Sequence, residues 1–204
     1  MKITDIKAQV KRQGRYSIYV DGKYSFSLSE NELLTVGLRI GQEYTNDEFD
    51  ELQKKAVLDK AYMRAYDQLS RRARSEWEMR DYLKRKEYDE PTIDKIVSTL
   101  SDKGYIDDFA FAESWVHNRR LLKPMSKMCL RQELRQKRVS DDAISRALEE
   151  DESSEHDVLK ELVARKRQQT RYQDVDKLKQ YLLRQGFRYD DIRTALEDQE
   201  GEQY

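Results

Sequence analysis

The side chains in this sequence that have chemistry to offer are cations. In Lys127-Met128-Cys129-Leu130-Arg131-Gln132-Glu133-Leu134-Arg135-Gln136-Lys137-Arg138, the residues Lys127, Arg131, Arg135 and Arg138 step by four and three. That spacing sets them on one helix face, with Met128, Leu130 and Leu134 expected to turn toward a core. The pattern recurs. Arg80 and Lys84 occupy the phases of Arg131 and Arg135, and Lys179 falls again under Arg131. Further clusters precede the same helices at Arg71-Arg72-Ala73-Arg74, at Arg119-Arg120 with Lys123, and at Arg165-Lys166-Arg167. A cationic stripe suits a polyanion, because each phosphate neutralised releases counterions and the gain grows with the number of contacts. For any single helix a solvated charged face explains as much; recurrence is what favours binding.

Catalysis has little support. His117 and His156 lie far apart, neither has a Cys or His at metal-ligand spacing, and no Gly-rich loop could cradle a phosphate, so no enzyme, cofactor or metal is expected. Asp107-Asp108 reads as a helix entry whose acids complement the dipole. Cys129 stands alone, which rules out an internal disulfide, fits a reducing compartment and suits a small core residue. No apolar run reaches the ~18 residues of a membrane span, and no signal-peptide core follows Met1, so a soluble cytoplasmic protein is expected. Tyr62, Tyr66, Tyr82 and Tyr181 fall at core phases. Trp77 and Trp115 are likewise expected to pack and not to stack on bases.

The elements that must position these cations form a repeat. Met79, Arg80, Leu83, Tyr88, Ile93 and Val97 lie under Leu130, Arg131, Leu134, Val139, Ile144 and Leu148, and under Leu178, Lys179, Leu182, Phe187, Ile192 and Leu196. A recurring apolar frame of that period means stacked helical units. Ser75, Ser126 and Asp174 mark the same phase as N-caps of each second helix, with Ser75-Glu76-Trp77-Glu78 a capping box. Asp89 and Ser140 cap the third helices, Pro91 suits a first turn, and Arg188 breaks that pattern in the third unit. With 39% charged residues, 37% hydrophobic residues and a mean hydropathy of -1.02, the 204-residue chain is polar for one globule and suits an elongated array. The formal net charge of -1 conceals blocks. Residues 119–138 hold eight bases against Glu133, 140–161 hold nine acids against Arg146 and Lys160, and 165–188 hold eight bases against Asp174 and Asp176.

Ahead of the repeats, residues 3–11, 15–20 and 23–28 alternate as three antiparallel strands, with Gln13-Gly14 and a type I′ Asp21-Gly22 as turns. Ser29 caps a short helix, and a long helix opening at Thr45 or Asn46 bridges to the repeats. The expected fold is therefore mainly α. It comprises three tandem three-helix repeats in an elongated curved array, after a small antiparallel β-hairpin module. The expected divisions are 1–55 for the β module with its short helix, 56–104 and 105–152 for the first two repeats, and 153–204 for the third repeat with a polar tail after Leu196.

The run Arg74-Ser75-Glu76-Trp77-Glu78-Met79-Arg80-Asp81-Tyr82-Leu83-Lys84-Arg85-Lys86, then Gly104-Tyr105-Ile106-Asp107-Asp108 with Phe111-Ala112 and Val116, resembles the RecX regulatory proteins of bacterial recombination. The hairpin sequence Arg15-Tyr16-Ser17-Ile18-Tyr19-Val20-Asp21-Gly22 resembles their Gram-positive branch. The family often has Lys-Gly before the third helix of a unit. Here that pair is Lys86-Glu87 and Lys137-Arg138, with glycine kept only in Gln185-Gly186, while Leu122-Lys123-Pro124 stands for Lys-Gly-Pro. A non-glycine held left-handed at such a turn costs up to about 1 kcal/mol. The resemblance implies a non-enzymatic regulator. It would bind the RecA recombinase filament on single-stranded DNA and restrain its ATPase, strand-exchange and coprotease activities. The implied partners are that filament and single-stranded DNA, with duplex bound weakly, no membrane, and a monomeric chain. From the residues alone, a sequence-specific helix-turn-helix-like DNA-binding regulator and a scaffold that binds only protein stay open as alternatives.

Overall fold

The structure, a computed structural model, describes residues 1–201. Ile3–Ala8 (β1), Arg15–Val20 (β2) and Lys23–Ser29 (β3) form an antiparallel sheet in the order β1-β2-β3. Alternation sends Ile3, Ile18, Val20, Phe26 and Leu28 to one face, where they pack with Leu38, Phe49, Leu52 and Ala56. Asp21 at φ 47° and Gly22 at φ 81° are both left-handed, as a type I′ turn requires, and Ile18 lies opposite Phe26. Ser29 caps Glu30–Val36 (α1) through the amide of Glu32. Thr45 caps Asn46–Leu69 (α2), with Glu48 closing a reciprocal capping box. The first turns of α2 supply Phe49, Leu52 and Ala56 to the sheet, while Ala61 and Ala65 are buried further along the same unbroken helix.

The remaining helices are Glu76–Lys84 (α3), Glu90–Asp102 (α4), Asp108–Leu122 (α5), Lys127–Gln136 (α6), Asp141–Glu149 (α7), Glu155–Arg167 (α8), Val175–Arg184 (α9) and Tyr189–Gly201 (α10). Contacts gather into two compact units. One holds Met1–Ala73 and Met79–Tyr105; the other holds Arg74–Glu78 and the chain from Ile106 on. The repeat frame is the buried set: Met79, Leu130 and Leu178; Leu83, Leu134 and Leu182; Ile93, Ile144 and Ile192; Val97, Leu148 and Leu196 are all at most 5% exposed. In the second unit these residues divide between two cores, one built on α5, α6 and α7 and the other on α8, α9 and α10. The cap residues act as their phase expects: Ser126 accepts from Cys129, Asp174 from Asp176 and Lys177, Asp89 from Thr92, and Ser140 from Ala143. The polar tail expected after Leu196 is helical in α10 as far as Gly201, and residues 202–204 lie outside the described part.

Each second helix ends in the same left-handed turn. Glu87 at φ 63°, Arg138 at φ 58° and Gly186 at φ 83° hold equivalent positions, and each following amide reaches back to the buried leucine carbonyl of Leu83, Leu134 or Leu182. The conformation is kept although glycine is present only once. At the two non-glycine positions the backbone bonds, with Val139 buried and Tyr88 half-buried just beyond the turn, outweigh the strain.

Three aromatic or apolar expectations are corrected. Trp77 is 43% exposed and Met128 65% exposed. Both sit two residues before a frame residue, about 200° round the helix from it, and so face away from the core stripe. Tyr66 is 43% exposed in a surface cluster, stacked on Tyr62 at 6.4 Å and edge-on to Tyr105 at 5.5 Å.

Candidate nucleic-acid interface

In the first unit, Arg80 pairs with Asp94 at 2.6 Å and Lys84 with Glu90 at 3.1 Å, so both reach from α3 across to α4. Arg71 pairs with Asp67 one turn back, and Arg72 donates to the carbonyl of Ala73. In the second unit the equivalents of Arg80 and Lys84 make the equivalent reach. Arg131 Nη1 donates to Ser145 Oγ at 3.0 Å and Arg135 Nε to Asp141 at 2.8 Å, from α6 across to α7. Recurrence of these cations therefore has a structural cause as well as a functional reading, since each ties a second helix to a third. The third repeat differs. Arg193 occupies the phase that holds Asp94 and Ser145, and it pairs with Glu197, while Lys179 is half-buried.

The single face expected for Lys127, Arg131, Arg135 and Arg138 is divided by depth. Lys127 turns inward, and its Nζ donates to the carbonyls of Leu148 and Asp151 at the C-terminal end of α7, where a cation complements the dipole. Arg131 is half-buried, Arg135 is exposed, and Arg138 lies beyond the helix in the left-handed turn with its side chain exposed. Among the flanking clusters Arg120 goes deepest. Its Nε and Nη2 hold Asp151 at 2.9 and 2.7 Å and its Nη1 donates to the carbonyl of Met125, with both charged side chains below a tenth exposed. Burial pushes the Asp151 carboxyl up, but bonds from Ser153 and Arg120 with the guanidinium charge outweigh it and hold the carboxyl below the usual range. Arg119 stacks on Trp115 at 4.6 Å and donates to Glu133, which also accepts from Trp115 Nε1, and Lys137 lies over the same ring. Lys166 lies over Tyr172 and Tyr181. Arg74 and Arg167 are half-buried, whereas Lys123 and Arg165 are exposed.

Two joints in the second unit were not legible from sequence. Ser75 Oγ donates to the carbonyl of Lys137, and Ser126 N donates to that of Gln185, each at 3.0 Å. Beside them, Glu76 N donates to Asp108 at 2.8 Å and Lys127 N to Glu155 at 3.0 Å. The same joint is thus made twice. A first-turn amide has no partner in its own helix, and a carboxylate at the start of the following α5 or α8 supplies one while sitting at a second positive helix end. Asp107 and Asp108 do start α5 as expected. Asp107 caps it, Asp108 serves the joint, and burial raises the Asp108 carboxyl, partly offset by the Glu76 amide. Glu78 at the Ser75 cap also accepts from Lys137 Nζ. The acidic stretch Glu149 to Glu155 thus includes two internal acceptors, Asp151 and Glu155. Sequence carried no fixed spacing for the joint acceptors, since Asp108 follows Ser75 by 33 residues and Glu155 follows Ser126 by 29.

Capped helix, left-handed turn and short helix, repeated after a three-stranded sheet in the chain, define a helical-repeat protein that keeps some of its repeat cations exposed. Comparison with known proteins narrows that class. The sequence matches the family descriptions "Regulatory protein RecX N-terminal domain" over residues 1–45, "RecX, first three-helix domain" over 61–100 and "RecX, second three-helix domain" over 107–148. It is 31% identical to the regulatory protein RecX of Bacillus pumilus over 201 residues, covering 96% of this chain and 76% of that one. Against its counterpart in Bacillus subtilis it is 33% identical over 205 residues, covering 98% and 78%. The Listeria monocytogenes serotype 4a protein is 37% identical over 150 residues, and there the match spans a little over half, 56%, of the relative's length. A crystal structure of regulatory protein RecX superposes with a TM-score of 0.69 at 30% identity, covering 96% of this chain and 98% of that one. The chain belongs to the RecX family of regulatory proteins. Among the described residues no helix is long and apolar enough to cross a membrane.

Proposed function

We propose that this protein regulates the RecA recombinase, binding its filament on single-stranded DNA and mainly restraining ATP hydrolysis, strand exchange and coprotease activity. The observation that carries this reading is family membership over a chain whose three-helix repeats leave cations on their surfaces. It acts by binding, in the cytoplasm, as a β module over 1–55 followed by three-helix units over 56–104, 105–152 and 153–204. Exposure ranks the cations for that role. Arg71, Arg72, Lys84, Lys123, Arg135, Arg138 and Arg165 lie at the surface and are the candidates to meet phosphate or recombinase, whereas Arg120 and Lys127 serve the fold. Sequence-specific reading through the helix after each turn is disfavoured by its charge. Asp141 and Asp142 open α7, and Asp190 and Asp191 open α10, where a groove-reading helix would meet phosphates. The test adds the protein to preformed recombinase filaments on single-stranded DNA and follows ATP turnover. Inhibition at near-stoichiometric amounts is expected, and unchanged turnover would sink the reading.

A further inference from the structure

The first unit holds a second positive cluster, apart from the repeat cations. The β1–β2 turn stands against residues 60–67 of α2, and between them lies an open pocket of about 290 Å³. Gly14 in that turn is left-handed at φ 68°, and its carbonyl accepts from the Glu30 amide, which fixes the turn. The pocket floor is already neutral. Arg15 is buried with Nη1 3.4 Å from Asp59, its other nitrogens donate to Ser27, and Asp59 also accepts from the amide and hydroxyl of Ser29. At the rim, Asp67 is paired with Arg71. Arg64 donates to the Tyr88 hydroxyl at 3.3 Å and lies over its ring, and among the described residues no carboxylate pairs with Arg12 or Lys60. Three cations therefore border a pocket whose acids are spoken for. Their repulsion is felt at Lys60, where burial lowers the ammonium below the usual lysine range and Arg64, Arg15 and Arg12 push it the same way. Met63, 42% exposed, adds an apolar wall.

We propose that this pocket binds one phosphate group of a single-stranded nucleic-acid backbone, held by Arg12, Lys60 and Arg64. An anion there relieves the crowding of like charge, the open mouth lets the strand continue on both sides, and Met63 offers contact to a sugar or base. The inference rests on the reading that the protein works on single-stranded DNA, and it gives the β module a part in that work. The test measures fluorescence anisotropy of a labelled oligo-dT strand with the full chain and no recombinase, comparing the native protein with the double variant Arg12→Ala, Lys60→Ala. Weaker binding, about threefold or more near 50 mM salt, and a salt slope shallower by about 0.7 are expected, with an unchanged melting temperature. Carbon-13 methylated lysines supply a second readout, in which oligo-dT raises the titration midpoint of Lys60. Unchanged affinity and slope would overturn the proposal. So would inorganic phosphate saturating the Lys60 signal while oligo-dT leaves it unmoved, which would make this a site for a small free anion. Because no recombinase is present, failure here and failure of filament inhibition are separate results.

Discussion

At the scale of residues, Arg120 and Arg135 show how depth decides what a cation is for. Both pair with an aspartate, but Arg120 and Asp151 are below a tenth exposed whereas Arg135 and Asp141 are more than half exposed. Removing one partner of a buried pair leaves an uncompensated charge, so Arg120→Ala should cost about 3–5 kcal/mol. An exposed, solvent-screened pair is worth little, so Arg135→Ala should leave the melting temperature nearly unchanged. Thermal melts of the two variants check the contrast. The carboxylates at positions 151 and 108 carry opposite pH signatures. Asp151 is held below its unfolded value, so its contribution is present above about pH 3.9 and lost as pH falls through its lower folded value. Asp108 is raised, so its contribution is greatest below its unfolded value and falls away as pH rises through the folded one. Asp108→Asn, which keeps an acceptor for the Glu76 amide, should therefore match or exceed the native melting temperature at pH 7. Asp151→Asn should fall below it at that pH, and the gap between Asp151→Asn and the native protein should close toward pH 3.

At the scale of elements, the left-handed turns after α3, α6 and α9 share one geometry under unequal strain. Arg138→Gly should stabilise the protein by about 0.5–1 kcal/mol, because glycine adopts positive φ without the Cβ penalty. Gly186→Ala should do the opposite, and by more. Its φ is strained for any other residue, and a Cβ there would overlap Ser126 Oγ and Cys129 Sγ beside a buried cap. Ser126 cannot yield cheaply, since its hydroxyl accepts from Cys129 and its amide donates to Gln185. A loss of about 2 kcal/mol or more is expected, read from urea midpoints, and no loss would show that the joint is looser than its geometry.

At the scale of the molecule, function and stability draw on the same charges, and a filament assay must separate them. Charge reversal at exposed Lys123, Arg138 and Arg165 should weaken inhibition of recombinase ATPase several-fold while leaving the melting temperature nearly unchanged, because exposed changes stay within about 0.5 kcal/mol each. Reversal at Arg131 is expected to cost stability as well, since it ties α6 to Ser145 of α7. If all four variants inhibit as well as the native protein at moderate salt, Lys123, Arg131, Arg138 and Arg165 do not touch the filament.

Sequence alone determined the repeat frame, the cap residues and the type I′ hairpin, because each depends on spacing within a few residues: Leu130 and Leu134, Ser126 and Cys129, Asp21 and Gly22. It also placed the cations in register. Which of them remain at the surface was settled only by tertiary structure. Arg120 meets Asp151, Lys127 meets the end of α7, and the rim of Arg12, Lys60 and Arg64 forms where a turn and a helix far apart in the chain come together. Local periodicity records the side of a helix on which a charge lies; burial and partners depend on what the rest of the chain places against that side.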